Sequence, residues 1–376
     1  MSEIKDTTRC AVMTAFAFFA TTSAWAGAPP TLSPVSPLDA NALSMSADGS
    51  IVVGTQIFGA YVFRWTRAGG LEILGPARGQ ASVSRDGSTI VADITSRNGH
   101  TIAAIWQGGT EWRGLGGYPG SGGCPDISNA FAVSNRGAVV VGLGWDDCAA
   151  TAFRWTKATR MISLGSLDGR SSRANDVSAN GDVIVGWDDD LTGARRGARW
   201  VDGVESLLTA PEGIFLGGAE AVTADGRVIV GGNAGNDFVR NRAYRWTEAR
   251  GGEIIGMLPN DDPLAGAYAF AVNGDGSVIV GASGASGRDA FVWTRTAGMF
   301  KLQDYLIELG VDLDDWILDT ALAISTDGTI IAGWGYRGTP PFLRVQSYIV
   351  EGLPPFVDSD EDGVLDAVDR DDLGYR

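Results

Sequence analysis

The last part of the chain carries its densest set of metal-binding side chains. The run DSDEDGVLDAVD (358–369) has aspartates at loop positions 1, 3, 5, 9 and 12 and a glycine at position 6, where such a loop must turn sharply. Ca²⁺ takes six to eight oxygen ligands, and this spacing supplies them from one short segment. The spacing therefore predicts a calcium site formed by Asp358, Asp360, Asp362, the carbonyl of Val364, Asp366 and Asp369.

The alternative for this segment is an acidic, solvated tail that binds nothing specifically. An aspartate rather than a glutamate at position 12 also makes bidentate ligation by Asp369 harder. The pattern resembles the thrombospondin type 3 repeat, although the cysteine expected after the last aspartate is absent. The resemblance implies an extracellular calcium-binding element, which in a single copy would act as a rigid stalk or docking element.

The rest of the sequence assembles no catalytic set. Its single histidine, His100, lies in a polar loop, where a surface position is more common than a catalytic role. The sequence contains no Gly-x-Ser-x-Gly elbow, P-loop or dinucleotide fingerprint. We therefore expect no catalytic residues and a protein that is not an enzyme. A secreted glycosidase or lyase is the alternative, because it needs only two well-placed carboxylates.

Tryptophans beside carboxylates follow three of the β-branched runs of the chain. Such groups suit stacking on sugar rings or capture of a protein partner. The alternative is that these rings pack on neighbouring strands. The candidate ligand-binding residues are Trp145, Asp146, Trp187, Asp188, Trp334 and Tyr336.

Seven copies of one unit account for the positions of these residues. Each unit has a strand ending at Ser-x-Asp-Gly or a variant, a Val-Ile-Val-Gly run, a strand with aromatic residues two apart, and a short strand ending at Leu-Gly. Asp-Gly and Asn-Gly form tight hairpin turns. Four strands with a recurring tryptophan match one propeller blade. The repeat predicts an all-β, seven-bladed β-propeller, and a linear β-solenoid is the alternative fold. If the protein is instead a glycosidase or lyase, its catalytic acids would lie at the mouth of the propeller. The turn glycines are at positions 49, 87, 137, 181, 226, 276 and 328.

The two ends of the repeat predict that the ring closes. The seventh unit lacks a fourth strand, and residues 32–38 (LSPVSPL) stand before the first unit as a spare one. An N-terminal strand in the last blade would remove the exposed edges. Within the third unit, Cys124 and Cys148 lie in loops that share one face, so we expect a disulfide between them. The arginines at one recurring blade position, which we expect to tie blade to blade, are Arg64, Arg154, Arg199 and Arg245.

Composition and the N-terminus point to an exported protein. The net charge of −16 opposes binding to nucleic acid or to an anionic membrane surface. Residues 1–26 read as a signal peptide, with a basic start, a short apolar run and a cleavage site near Ala26. We expect residues 27–350 to form the propeller and residues 351–376 a linker and calcium-binding tail. The mature chain has no transmembrane candidate, and we expect a monomer that is secreted, periplasmic or on the cell surface.

Over residues 30–350 the units resemble the HAF-family extracellular repeat of bacterial secreted proteins. The resemblance is carried by Ser-x-Asp-Gly, Val-Val-Gly, Ala-Phe-Arg-Trp-Thr and the closing Leu-Gly, and by residues 302–328, which look like that family's C-terminal unit. The sequence departs from the family where His-Ala-Phe is expected, for example at Thr151-Ala152-Phe153. The resemblance implies an exported β-repeat protein and brings no catalytic residues.

Overall fold

The structure is a computed structural model that describes residues 27–37, 39–57, 61–118, 126–146, 148–232, 242–259, 261, 266–284, 289–339 and 341–369. Seven four-stranded antiparallel sheets, the blades of a propeller, contain every strand of these residues. The predicted all-β, seven-bladed architecture is confirmed. The predicted signal peptide (1–26) lies outside the described residues.

Each blade runs from an inner strand that lines the central channel to an outer strand at the rim. Blade 1 contains β2 (Ala40–Met45), β3 (Ile51–Gln56), β4 (Val62–Thr66) and β5 (Gly70–Ile73), and blade 2 contains β6 (Arg78–Val83), β7 (Ile90–Thr95), β8 (Thr101–Trp106) and β9 (Arg113–Gly114). Blade 3 contains β10 (Ser128–Val133), β11 (Val140–Asp146), β12 (Ala149–Thr156) and β13 (Arg160–Gly165). Blade 4 contains β14 (Ser172–Val177), β15 (Val183–Asp189), β16 (Arg195–Val201) and β17 (Val204–Leu207).

Blades 5 to 7 follow the same order, and the last blade takes its outer strand from the N-terminal segment. Blade 5 contains β18 (Ala219–Val222), β19 (Val228–Gly231), β20 (Ala243–Thr247) and β21 (Gly251–Gly256). Blade 6 contains β22 (Gly266–Val272), β23 (Ile279–Gly284), β24 (Asp289–Thr294) and β25 (Gly298–Lys301). Blade 7 contains β26 (Trp316–Ile324), β27 (Ile330–Arg337), β28 (Arg344–Glu351) and β1 (Thr31–Pro34).

The ring is closed by two sets of backbone hydrogen bonds. Strand β1 pairs antiparallel with β28, and Leu32 lies opposite Val350. The spare strand of the sequence is thus used in the last blade, over Thr31–Pro34 rather than the whole of residues 32–38. In the turns, the amide of Thr326 donates to the carbonyl of Ala47 at 2.8 Å, which joins blade 7 to blade 1. Closure leaves blade 7 without an unpaired outer edge at β28.

The Ser-x-Asp-Gly turns connect the first and second strands of each blade. In blade 1, Asp48 accepts hydrogen bonds from the hydroxyl of Ser46 (2.7 Å) and from the amide of Ser50 (3.0 Å). These hydrogen bonds favour the charged carboxylate, and the pKa of Asp48 is lowered. We call the face of the ring that carries these turns the turn face. The opposite face, which carries the connections after the second strands, is the loop face.

The glycine that ends the Val-Ile-Val-Gly run meets a backbone carbonyl of the inner strand. The inner strand of blade 4 has a β-bulge next to this position, between Ala174 and Asp176, and a Cβ at Gly186 would lie 1.9 Å from the oxygen of Arg173. The same approach recurs at Gly54, Gly142, Gly231, Gly281 and Gly333. Blade 2 has Ala92 there, and its bulge is longer, between Arg78 and Ser82. The repeated glycine is therefore a packing requirement of this close approach.

The hydrophobic core lies between the blades. One cluster joins Val141 and Ala152 of blade 3 to Ile184 and Trp200 of blade 4, all buried. A helix absent from the all-β prediction, α1 (Leu302–Glu308), follows the short outer strand of blade 6 and buries Leu302, Tyr305 and Leu306. Among the described residues, no helix has the length and apolarity needed to cross a membrane.

Candidate functional site

The acidic loop of residues 358–369 is docked onto blades 6 and 7 on the turn face. Phe356 packs against Phe300 and Tyr305, with ring centroids 6.4 and 5.6 Å away. Within the loop, Leu365 is buried in the hydrophobic cluster of these two blades. The loop therefore has a fixed platform, which an acidic tail in solution would lack.

Three of the predicted calcium ligands come together in this loop. Oxygen atoms of Asp358, Asp360 and Asp362 all lie within 4.8 Å of one another. Loop amides hold two of these carboxylates in place: Gly363 N–H donates to Asp358 at 3.1 Å and Val364 N–H to Asp362 at 2.7 Å. The spacing suits oxygens that surround one Ca²⁺ at 2.3–2.6 Å each.

Asp358 provides the most informative atom of the loop. Its side chain is 7% exposed, and its Oδ1 is buried without a hydrogen-bond partner. A buried carboxylate oxygen without a partner is costly, because it has lost its water and gained nothing in exchange. A cation among the three aspartates would compensate this cost. The residues thus fit a calcium ion.

The other predicted ligands lie outside the group of three aspartates. Asp366 accepts hydrogen bonds from the amide and the hydroxyl of Ser359, both at 2.7 Å, so its carboxylate faces position 2 of the loop. Position 9 of calcium loops often reaches the ion through water. Asp369 is 6% exposed and lies outside the three-aspartate group. Ligation by Val364, Asp366 and Asp369 stays a prediction.

The tryptophan and aspartate residues of the loop face differ in exposure. Trp187 and Asp188 are largely buried, at 6% and 3% exposed. Arg195 lies 3.9 Å over the Trp187 ring. The connection before β14 covers Asp188, which accepts hydrogen bonds from the Ser166 hydroxyl (2.6 Å) and the Leu167 amide (2.8 Å). Ligand binding by Trp187 and Asp188 stays a prediction.

Three aromatic residues of the loop face stay available to a ligand. Trp145, Trp334 and Tyr336 are each partly exposed, and the rings of Trp334 and Tyr336 meet edge to face at 5.8 Å. The side chain of Asp146 lies outside the described residues. Stacking of a sugar or protein side chain on these rings stays a prediction.

The predicted disulfide involves a residue outside the described part of the chain. Cys148 lies between β11 and β12 on the loop face, at a φ of +66°. Cys124 falls among residues 119–125, which the structure does not describe. The neighbouring start of β10 is beside the end of β11, because Ser128 pairs with Gly144. The Cys124–Cys148 bond stays a prediction.

The central channel is narrow and polar, with a cavity of about 140 Å³. Arg85 of blade 2 crosses it and donates to the carbonyl of Val222 in blade 5 at 2.6 Å. Burial raises the pKa of Asp176, which accepts the Val222 amide at 2.8 Å. Burial also raises the pKa of Glu220, which accepts a hydrogen bond from Asn175 at 3.1 Å. These acids join neighbouring blades.

The recurring arginines do connect blades at two of their positions. Arg199 pairs with Glu248 of the next blade at 3.3 Å, and Arg245 donates to the carbonyl of Gly276 in the blade after its own at 3.1 Å. Arg64 instead pairs with Glu72 of its own blade at 3.4 Å. Arg199 and Arg245 also line an open groove on the turn face, which sequence reasoning missed.

Comparisons with known proteins support the fold and no more. No family model matches the sequence, and no curated protein matches it. Among solved structures, the chain is similar to the β-propeller domain of Cps50 (Swd1) from Myceliophteria thermophila, with 10% identity, a TM-score of 0.54 and coverage of 86% of this chain and 100% of that one.

Two further solved structures are similar to this chain in fold. The oligogalacturonate lyase of Vibrio parahaemolyticus has 12% identity and a TM-score of 0.52 over 85% of this chain and 93% of its own. The β-propeller domain of the Trilobed protease of Pyrococcus furiosus has 12% identity and a TM-score of 0.50 over 88% and 100%. At such identities, the likeness establishes the propeller fold alone.

Proposed function

We propose that the chain is a secreted or cell-surface binding scaffold, a non-enzymatic propeller for a glycan or a protein, with one calcium-binding loop. The observation that carries the proposal is the buried, unpartnered Oδ1 of Asp358 within a group of three aspartates. The loop sits on blades 6 and 7 through Phe356 and Leu365. A bound calcium ion would therefore fix the tail against the ring and present the propeller from a rigid base.

The absence of catalysis is supported by how the channel acids are used. Asp176 and Glu220 are the carboxylates that line the channel among the described residues, and each accepts hydrogen bonds that connect blades. A general acid or nucleophile must instead reach a substrate. We therefore propose binding rather than turnover.

The calcium part is tested by isothermal titration of the full chain with Ca²⁺. We expect one site per chain with a Kd of about 10⁻⁴–10⁻³ M, as for extracellular calcium modules. Asp358→Asn should weaken binding at least about tenfold, because it removes a charged ligand. The matched control is Glu361→Gln, an acid of the same loop that lies outside the three-aspartate group. Equal affinities of the wild type and Asp358→Asn would refute the site.

A carbohydrate-active enzyme is the second candidate, favoured by one observation. Burial raises the pKa values of Asp176 and Glu220, and raised carboxyl pKa values are common in general acids. Incubation with a panel of polysaccharides, followed by a reducing-end assay, separates the two functions. Turnover that is lost in Glu220→Gln but kept in Glu361→Gln would establish the enzyme and contradict the scaffold.

A further inference from the structure

One groove on the turn face concentrates positive charge in a protein whose net charge is −16. The groove has a volume of about 750 Å³ and lies between blades 4, 5 and 6. We call it the arginine groove. Five arginines, two acids and one tryptophan line it: Arg199, Arg227, Arg245, Arg250, Arg295, Asp225, Glu248 and Trp246.

The carboxylates around the arginine groove neutralise only part of this charge. Arg199, Arg227 and Arg295 have carboxylate partners, at 3.3, 3.7 and 2.8 Å. Among the described residues, neither Arg245 nor Arg250 has a carboxylate within 4.0 Å. Burial lowers the pKa of Arg245, and the guanidinium groups of Arg295 and Arg250 lower it further, whereas Glu253 and Asp275 act in the opposite direction. Two guanidinium groups thus stand beside other cations without an ion pair, an arrangement that an anion would relieve.

The corresponding groove of blade 1 shows that this charge is not a property of the fold. That groove, of about 470 Å³, is lined by Arg64 and Arg67. Both are paired, Arg64 with Glu72 at 3.4 Å and Arg67 with Glu351. The same blade architecture therefore needs no excess of arginine, and the excess in the arginine groove calls for another explanation.

An aromatic ring defines the shape of ligand that the arginine groove would accept. Trp246 is partly exposed, and the guanidinium of Arg199 lies 5.5 Å from its ring. An indole face suits the apolar face of a sugar ring, whereas a compact anion such as phosphate would not use it. Guanidinium groups bind carboxylates through two parallel hydrogen bonds. The combination favours a sugar chain that carries carboxylates.

We propose that the arginine groove binds a carboxylate-bearing oligosaccharide, with guanidinium groups on the carboxylates and Trp246 against a ring. This inference rests on the proposed scaffold function and names its ligand class and its face. A second groove of about 410 Å³ shares Arg245 and Arg295 and extends to Asp358. A bound chain that leaves the arginine groove in this direction passes the calcium loop.

The test uses the full chain, with polygalacturonate as the probe and fully methyl-esterified pectin as the uncharged probe with the same backbone. Affinity electrophoresis is run in EGTA, so that calcium neither cross-links the polymer nor fills the loop. We expect retardation by polygalacturonate alone, weakened at least tenfold between 50 and 500 mM salt, roughly as counterion release requires. Arg250→Gln and Arg245→Gln should each lower the affinity about tenfold.

The matched control is Arg154→Gln, which changes an arginine at the same blade position as Arg245 but outside the groove. Arg250 is exposed in a turn, so its variant tests the groove without disturbing the packing. Unchanged retardation of Arg250→Gln and Arg245→Gln, or an equal loss in Arg154→Gln, would overturn the inference. Tighter binding of dextran sulfate than of polygalacturonate would overturn the carboxylate assignment. The calcium titration is independent of these results, so the scaffold proposal can survive their failure.

Discussion

Asp93 in blade 2 makes a sharp test of the electrostatics of the ring. Its side chain is 3% exposed and accepts hydrogen bonds from the side chain of Asn129 (2.7 Å) and the amide of Ala130 (2.9 Å), both in blade 3. Burial raises its pKa from 3.8 to about 6, although these bonds and the charge of Arg78 act in the opposite direction. The folded protein therefore binds a proton at Asp93 more tightly than the unfolded chain does.

The sign of the pH dependence follows from this difference. Between pH 4 and pH 6 the folded state holds more protons at this site, so the contribution of Asp93 to stability falls as the pH rises through this range. At 1.36 kcal/mol per pKa unit, the shift corresponds to about 3 kcal/mol at pH 7.5. Asp93→Asn removes the buried charge but offers one acceptor oxygen where the carboxylate offers two, so either the Asn129 amide or the Ala130 N–H loses its partner at every pH. Because this loss does not depend on pH, we expect the free energy of unfolding of the variant relative to the wild type to rise by about 2–3 kcal/mol between pH 4 and pH 7.5.

Urea unfolding followed by tryptophan fluorescence at pH 4, 5, 6 and 7.5 measures this difference. The contributions of other carboxylates cancel, because only the difference between variant and wild type is used. Glu111→Gln, which changes an exposed acid of the same blade, should give no such pH dependence. A difference between Asp93→Asn and wild type that stays constant over this range would refute the reasoning. So would a difference that falls as the pH rises, since it would mean that the charged form is the stabilising one.

Two further predictions concern the packing of the repeat. Gly186→Ala should destabilise the protein by about 3 kcal/mol or more in urea unfolding, because the new Cβ would meet the carbonyl of Arg173 at 1.9 Å. The control is Gly203→Ala, which should cost about 1 kcal/mol, because Gly203 has a φ of +78° and open space around its Cβ position. Equal costs for the two variants would contradict the argument from the close approach of the inner strand. A truncated chain that begins at Asp39 lacks β1 and the buried Val35, so we expect a loss of about 3–5 kcal/mol by calorimetry and association through the open edge of β28 by gel filtration. An unchanged unfolding free energy and elution volume would contradict closure through β1.

The sequence predicted features that recur in most repeats, and the strand that the last repeat lacks. The turn aspartates, the glycine after the β-branched run and the spare N-terminal strand each correspond to a local requirement, as Asp48, Gly186 and Leu32 show. Because seven units adopt the same geometry, their shared residues form a pattern that is visible in the sequence without any knowledge of tertiary contacts. The same logic gave the spacing of Asp358, Asp360 and Asp362, since a calcium loop is a local structure.

Features that depend on contact between distant segments could not be predicted in the same way. Trp187 is buried because Arg195 covers its ring, and neither the composition of its loop nor the repeat indicates that contact. Helix α1 is only seven residues long, and its stability comes from burial of Tyr305 and Leu306 rather than from its sequence. Both cases show tertiary packing deciding what local sequence leaves open.

The arginine groove lies between these two cases, because a sequence signal existed but was weak. The residue after the turn glycine is Ser, Thr, Ala or Asp in six units, and only the fifth unit has arginine there, at Arg227. Arg250 and Arg295 likewise stand in turns that vary among units. A different residue after the turn glycine costs the ring little stability. The side-chain hydrogen bonds of the turn come from the serine or threonine and the aspartate before the glycine, as at Thr223 and Asp225.

The turn face also combines variability with rigidity. Its turns are joined by backbone hydrogen bonds from Ala47 to Arg85, from Ala179 to Ala224 and from Thr326 to Ala47, so side chains that project from it hold their mutual spacing. Ligand recognition by several arginines benefits from such fixed spacing, because ordering flexible side chains on binding costs free energy and lowers the affinity of the protein for the ligand. The positions that repeat therefore build the rigid ring, and those that differ on its turn face are where binding can be selected without loss of the fold.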